Sequence, residues 1–247
     1  MNLSAVGAVG LFFLVFFGFV LPVVAFRARD RLTRMRPWPT RRRLYASIVV
    51  QLSLFLGLAL IAAWQEGVDV VHGPQRILLP SLVTMGLLAL MVAATRSIKR
   101  DAVRRREPRV YFAMPVDAVE MGLWIAVAVM AGIAEETVYR GVFSDLATRL
   151  TGSMTAAWTL AVLAFTIAHA NQGFKSLGVI ALFALVAHAL VYLSGTLLFG
   201  IVLHAAYDVS AGFDYVRLGR QLGYPLHEVP DAAALDAVTM PTAASSP

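Results

Sequence analysis

The sequence contains no cysteine and few charged side chains. The absence of cysteine excludes disulfide bonds, thiolate nucleophiles and sulfur-ligated metal sites. Only 15% of the 247 residues are charged, whereas 59% are hydrophobic, and the mean hydropathy is +0.72. A chain this apolar has too little polar surface for a soluble globular domain. The composition therefore predicts an integral membrane protein.

Long apolar runs recur along the chain and lack the period-2 alternation of outer-membrane barrel strands. The first, Leu3–Phe26, is long enough to cross a hydrocarbon core of about 30 Å. We interpret it as a retained helix because no basic segment precedes it, as one would in a signal peptide. Six further candidate spans are Tyr45–Trp64, Ile77–Ala94, Val116–Ala134, Met154–Ala170, Leu177–Leu193 and Gly195–Val209. Since backbone groups in lipid must be satisfied within a segment, we predict an all-α polytopic transmembrane bundle of about seven or eight spans.

One segment between these candidate spans is amphipathic. Thr137–Thr151 mixes charged and apolar residues and is compatible with an extra crossing, a re-entrant helix or an interfacial helix. If the spans on either side of it cross completely in opposite directions, Glu135 and His169 lie at opposite membrane faces. A shared site therefore predicts that Thr137–Thr151 returns across most of the membrane.

Positive charge is concentrated in two connections, Arg27–Arg43 and Arg96–Arg109, which we predict to be cytoplasmic. The loop Gln65–Arg76 then lies outside, as does the N-terminus. The net charge of +6 reflects these basic cytoplasmic loops, which we expect to face anionic lipid at the inner membrane surface. The lipid bilayer is therefore an expected partner, and nucleic acid is not.

We expect three regions along the chain. Residues 1–110 hold N-terminal transmembrane helices with basic cytoplasmic loops, and residues 111–212 hold the segments that carry ionisable side chains within apolar sequence. Residues 213–247 form a polar tail, and its Ala/Pro/Ser/Thr-rich part from Glu228 onward is typical of disorder.

Ionisable residues within apolar segments indicate function, because each costs several kcal/mol at membrane depth. Glu135 and Glu136 are adjacent near the end of one candidate span. Glu136 and Arg140 stand at i and i+4 on one helical face, which suits an ion pair. Glu135 is turned from Glu136 by about 100° of helix and is free to face a cavity.

Two further segments repeat the i and i+4 spacing. Phe165 and His169 occupy one of them, and His204 and Asp208 occupy the other. A carboxylate and an imidazole that converge on one water form a general base able to generate a nucleophile without serine or cysteine. A second histidine with a nearby aspartate can donate hydrogen bonds to the oxyanion of an attacked carbonyl.

Three motifs appear in order along successive predicted helices between about Val116 and Val209. They resemble the motifs of the CPBP family, the CAAX protease and bacteriocin-processing family, which is typified by the type II CAAX prenyl endopeptidase. The motifs are Glu135-Glu136-x-x-x-Arg140, Phe165-x-x-x-His169 and His204-x-x-x-Asp208.

This resemblance implies intramembrane proteolysis. By analogy Glu135 and His169 activate the hydrolytic water, while His204 and Asp208 stabilise the oxyanion. An ionised aspartate is a poor oxyanion donor, so Asp208 is expected to be protonated or to orient His204. By the same analogy Glu136 and Arg140 support the site. Phe165 also has a supporting role, which is packing.

The sequence leaves the role of metal open. It contains no His-Glu-x-x-His for zinc, no rhomboid Gly-x-Ser-Gly and no aspartyl-protease Gly-x-Gly-Asp. Glu135, His169 and His204 could nevertheless supply three ligands to a divalent ion such as zinc and leave a position for water. The alternatives are a metal-free glutamate-dependent hydrolase and a metalloendopeptidase, and we favour the metal-free mechanism.

Two other classes of function use similar residues. A non-catalytic membrane adaptor or immunity-type protein is the first alternative. A proton-coupled transporter is the second, although no inverted repeat with paired broken segments supports it. For a protease, the expected substrates are membrane-anchored proteins or peptides, and the Arg- and Ala-rich composition favours a bacterial inner membrane location.

Overall fold

The computed structural model describes residues 5–34, 37–74 and 76–227, and within these ranges it contains helices and no strand. Short helical turns occur at Arg31–Arg34, Pro108–Tyr111 and Ala170–Gln172. The predicted all-α class is confirmed. The long helices are α1 Ala8–Arg27, α2 Arg41–Glu66, α3 Leu78–Arg104, α4 Ala118–Thr151, α5 Met154–Ala168, α6 Phe174–Ser194 and α7 Leu198–Leu222.

Five helices in the described ranges are long and apolar enough to cross a membrane, namely α1 to α4 and the Ser176–Ser194 part of α6. The helix α5 is shorter, and α7 is long but carries Asp208, Asp214 and Arg217. The predicted count of seven or eight spans is thus approximate. Many large apolar side chains point outward, as expected for a protein surrounded by lipid.

The helix α4 differs from the sequence-based expectation. The predicted break after Ala134 is wrong, because Thr137–Thr151 continues the preceding helix instead of turning back. The continuation passes through a π-helical stretch, Thr137–Phe143, and the helix ends only at Gly152, whose φ of +69° favours glycine. No proline or capping residue interrupts the backbone earlier, so the polar residues remain helical.

Glu135 and His169 come together because α4 and α5 form an antiparallel hairpin about Gly152. Glu135 precedes Gly152 by 17 residues, and His169 follows it by 17 residues. At a rise of about 1.5 Å per residue, Glu135 lies roughly 25 Å from either end of α4. The two residues therefore lie at similar depth, as a shared site requires, by continuation of α4 rather than by its reversal.

The helix α7 packs antiparallel against α4 at very short distance. A Cβ atom added to Gly132 would lie only 2.8 Å from the carbonyl oxygen of Ile201 and 3.2 Å from Cβ of Ala205. Small residues at such a crossing allow two backbones to approach closely within a membrane. This contact brings His204 of α7 next to the middle of α4.

Both basic connections lie at one end of the bundle. Nη2 of Arg109 is 3.1 Å from Oδ1 of Asp30, which joins the two segments. The buried Arg41 donates hydrogen bonds of 2.7 Å to the carbonyl oxygens of Tyr111 and Leu226. This arrangement agrees with alternate crossings, and the cytoplasmic assignment of this end remains a prediction.

The predicted polar tail begins too early. Residues 213–222 belong to α7, and Val216 and Leu218 on this part are buried in an apolar cluster with Val103 and Met114. This packing explains why the helix continues beyond the ionisable segment. The Ala/Pro/Ser/Thr-rich part from Glu228 onward lies outside the described residues.

The close crossing of α4 and α7 can be tested with alanine. Gly132→Ala should lower the apparent thermal midpoint of the purified protein in detergent, because its methyl group meets the Ile201 backbone. Gly122→Ala on the same helix is the matched control. Nothing lies within 4 Å of an added Cβ there, so helix propensity makes this change neutral or stabilising. Equal midpoints for the two variants would contradict the tight packing.

Candidate active site

Seven side chains singled out in the sequence lie together inside the bundle. Helix α4 contributes three of them, the C-terminal end of α5 two, and the second and third turns of α7 two. The structure thus brings all of the predicted site residues into one cluster, although they come from three helices. They are Glu135, Glu136, Arg140, Phe165, His169, His204 and Asp208.

Glu136 is fully buried and links α4 to α7. Its Oε1 lies 3.1 Å from Nη1 of Arg140 and accepts a hydrogen bond of 2.9 Å from Nδ1 of His204. The predicted Glu136–Arg140 pair is present and fully shielded from solvent. The contact with Arg140 is electrostatic, since no guanidinium nitrogen forms a hydrogen bond of standard geometry with a described residue. The contact with His204 was not anticipated from the sequence.

Glycine at position 200 makes room for this carboxylate. A Cβ atom at Gly200 would lie 3.0 Å from Oε2 of Glu136. A glycine in an apolar helix has no distinguishing sequence signal. The need for glycine at position 200 could not be predicted without knowing that α7 packs against α4.

His169 is held by its own helix. Its Nδ1 lies 2.7 Å from the carbonyl oxygen of Phe165, which can only accept, so Nδ1 carries the hydrogen. The other ring nitrogen, Nε2, lies 3.5 Å from Oε2 of Glu135. His204 has the same arrangement, with Nδ1 bound to Glu136 and Nε2 3.8 Å from the same oxygen of Glu135. Both Nε2 atoms therefore converge on Glu135.

These separations are too long for direct hydrogen bonds but suit groups that share a small bridging molecule. Oε2 of Glu135 is buried and has no hydrogen-bond partner among the described residues. One water molecule could contact this oxygen and both Nε2 atoms. The carboxylate can take one proton from such a water, while an imidazole Nε2 without a hydrogen accepts a hydrogen bond from the other O–H.

Asp208 occupies the more accessible side of the cluster. Its side chain is 33% exposed, compared with 18% for Glu135 and 8% for His204. Its Oδ2 lies 3.7 Å from Nε2 of His204, and its backbone oxygen accepts a hydrogen bond from Trp124. The cluster is therefore most open on the side of Asp208.

Aromatic rings enclose the cluster. The Phe165 ring lies 4.3 Å from the His169 ring, and the Arg140 guanidinium lies 4.5 Å from the Phe165 ring. Phe183 of α6, which the sequence reasoning missed, lies 4.9 Å from the His204 ring. These rings limit access of bulk water to the charged groups, and electrostatic interactions are stronger in such surroundings.

The residues that the sequence offers as metal ligands are Glu135, His169 and His204. A zinc ion needs ligand atoms about 2.0–2.2 Å from one point. Within the described ranges, no group of three or more His, Cys, Asp or Glu side chains is placed to hold a metal ion. The two Nε2 atoms lie 3.5 and 3.8 Å from Oε2 of Glu135, which is near the roughly 3.4 Å that separates ligand atoms in a tetrahedral zinc site, so metal dependence is a matter for experiment.

Comparison with protein families places this cluster in a known context. Residues 117–210 match the family model described as type II CAAX prenyl endopeptidase Rce1-like. The match extends from the residue before α4 into α7 and includes every residue of the cluster. The resemblance indicated by the three motifs is confirmed over this segment, and the matched family is a protease family. No curated protein and no solved structure matches the chain.

The buried Glu136–Arg140 pair can be compared with a partly exposed pair on the same helix, Asp145–Arg149. Glu136→Gln should destabilise the protein by about 3–5 kcal/mol, because it leaves Arg140 as an uncompensated buried charge. Asp145→Asn breaks the i and i+4 pair with Arg149, whose side chain is 33% exposed, and should cost less than about 1 kcal/mol. Thermal midpoints and purified yields measure both effects. Similar losses for the two variants would show that burial does not determine the importance of the Glu136 pair.

Proposed function

We propose, from the family match of residues 117–210 and from the convergence of two imidazoles on one carboxylate, that this chain is an intramembrane endopeptidase. It hydrolyses peptide bonds of membrane-associated proteins or peptides. The observation that carries the proposal is the approach of Nε2 of His169 and Nε2 of His204 to Oε2 of Glu135 within the matched segment.

The first step is the activation of water. Glu135 accepts a proton from a water that also contacts Nε2 of His169, and the oxygen attacks the carbonyl carbon of the scissile bond. The Phe165 carbonyl holds Nδ1–H of His169, so the lone pair of Nε2 faces the water. The protonated Glu135 then gives its proton to the leaving amine nitrogen as the C–N bond breaks. The products are a carboxylic acid and an amine.

The second requirement is stabilisation of the oxyanion that forms after attack. His204 presents Nε2 toward the same region, because Glu136 holds its Nδ1–H. Donation from Nε2 requires His204 in its imidazolium form, and Asp208 at 3.7 Å supplies a compensating charge. We therefore assign oxyanion binding to His204 and a positioning role to Asp208. Glu136, Arg140 and Phe165 support the site.

The location of the cluster within the bundle limits the class of substrate that can reach it. The cluster lies near the middle of a 34-residue helix in a bundle with five helices capable of crossing a membrane in its described part. A peptide must therefore enter from the bilayer or along the membrane surface, which selects membrane-anchored proteins or peptides. We place the enzyme in the inner membrane of a bacterium, where the Arg-rich end faces the cytoplasm.

Replacement of the proposed general base tests the mechanism. Glu135→Gln should leave insertion and folding intact but reduce cleavage about 10²–10⁴-fold, because the amide cannot accept the proton of water. Comparison of membrane proteomes from cells with wild-type and variant protein would identify substrates that accumulate uncut. Cleavage of these substrates by purified protein then gives the rate. Glu107→Gln, outside the cluster, is a matched control that should cleave normally.

His169→Ala should reduce cleavage by a comparable factor. The double variant with Glu135→Gln should be little worse than either single variant, because groups that act on one water are not additive. Full activity of Glu135→Gln would exclude the mechanism. Strictly multiplicative losses would show that the two residues act separately.

Metal dependence is a separate question, and our proposal is hydrolysis without a metal ligated by Glu135, His169 and His204. Purified active protein should keep its cleavage rate after exhaustive treatment with a membrane-permeant chelator, and elemental analysis should find zinc far below stoichiometry. Stoichiometric zinc, with activity lost on stripping and restored by zinc alone, would replace this proposal by metal-assisted hydrolysis with those residues as ligands.

A further inference from the structure

A groove with a volume of about 570 Å³ lies between α3 and α7, outside the active-site cluster. Its apolar lining includes Met85, Leu88 and Val92 of α3 and Leu218 of α7. The volume is in the range of small-molecule sites, roughly 300–1,000 Å³. None of the residues that line the groove belongs to the seven residues of the active-site cluster.

The groove also has a strongly basic end. Arg96 and Arg217 both line it, and neither forms an ion pair with another residue in the described ranges. Asp214, the one carboxylate in the lining, is paired with Lys99, whose side chain is 4% exposed. The charge of Asp214 is therefore already compensated, and the two guanidinium groups retain their full positive charge.

From this combination we propose that the groove binds one anionic phospholipid. An acyl chain matches the apolar side chains of α3, and a phosphate group matches the two arginines in charge. Arg96 also opens the basic segment Arg96–Arg109 at the end of the bundle where anionic lipid headgroups are expected. Basic pockets between membrane helices at that face bind acidic lipid headgroups in other proteins.

This lipid site goes beyond the proposed hydrolysis and does not depend on it. The helix α7 carries both the groove residue Arg217 and the cluster residues His204 and Asp208. A lipid held between α3 and α7 thus contacts the same rigid helix that presents the oxyanion donor. Its binding should stabilise the bundle whether or not the protein cleaves peptides.

Native mass spectrometry of the purified full-length protein tests the site directly. The detergent-solubilised protein is titrated with dioleoylphosphatidylglycerol or dioleoylphosphatidylcholine, which have the same acyl chains and differ in net charge. We expect one molecule of phosphatidylglycerol to bind about tenfold more tightly than phosphatidylcholine, since each arginine near a headgroup adds a several-fold preference. Inorganic phosphate at millimolar concentration should not displace it, because phosphate lacks the acyl chain.

Two pairs of variants separate this site from general surface charge. Arg96→Gln with Arg217→Gln should abolish the preference, whereas Arg100→Gln with Arg104→Gln should retain it. The control pair removes the same charge from exposed residues that do not line the groove. Ala93→Phe fills the groove and should lower binding about tenfold or more, whereas Ala94→Phe, its neighbour outside the lining, should not.

Several results would overturn the proposal. Equal loss of preference in both arginine double variants would show a diffuse surface effect. Equal affinity of the wild-type protein for the two lipids would show that the groove does not distinguish an anionic headgroup from a neutral one. Displacement by inorganic phosphate would show a plain anion site, and equal binding by Ala93→Phe and Ala94→Phe would show that the groove is not occupied.

Discussion

The buried carboxylate of Glu136 is the interaction on which the rest of the site depends. It binds a guanidinium on its own helix and an imidazole on α7 through the same oxygen. Burial of a charge in an apolar bundle is unfavourable unless several groups of opposite charge or polarity surround it. The contact between α4 and α7 is therefore specific in rotation and in register, because a shift of either helix separates Glu136 from His204.

Two kinds of constraint hold this register. The glycines at 132 and 200 set the distance between the helices, and Glu136 sets their relative rotation. Dispersion contacts alone would allow α7 to slide among several similar positions in lipid, because apolar side chains are alike. The polar contact removes that freedom, and the same bond orients His204 for its proposed chemistry.

The sequence predicted the local pairings well and the longer-range geometry less well. The i and i+4 spacings of Glu136 with Arg140 and of His204 with Asp208 follow directly from helix periodicity, and the structure contains both contacts. The extent of α4 could not be predicted, since charged residues after Ala134 suggest a membrane boundary when hydropathy is the guide. Burial of those charges depends on partners from α5, α6 and α7, which no single segment reveals. The contribution of Phe183 was missed for the same reason.

The geometry of the site depends on the number of residues in each arm of the hairpin about Gly152. Glu135 and His169 each lie 17 positions from that glycine, and a single insertion in one arm would rotate its far end by about 100° and shift it by about 1.5 Å. Glu135 and His169 could then no longer face each other. Relatives that keep this chemistry should therefore vary freely in the loops at the two membrane surfaces and hold the length of this hairpin constant.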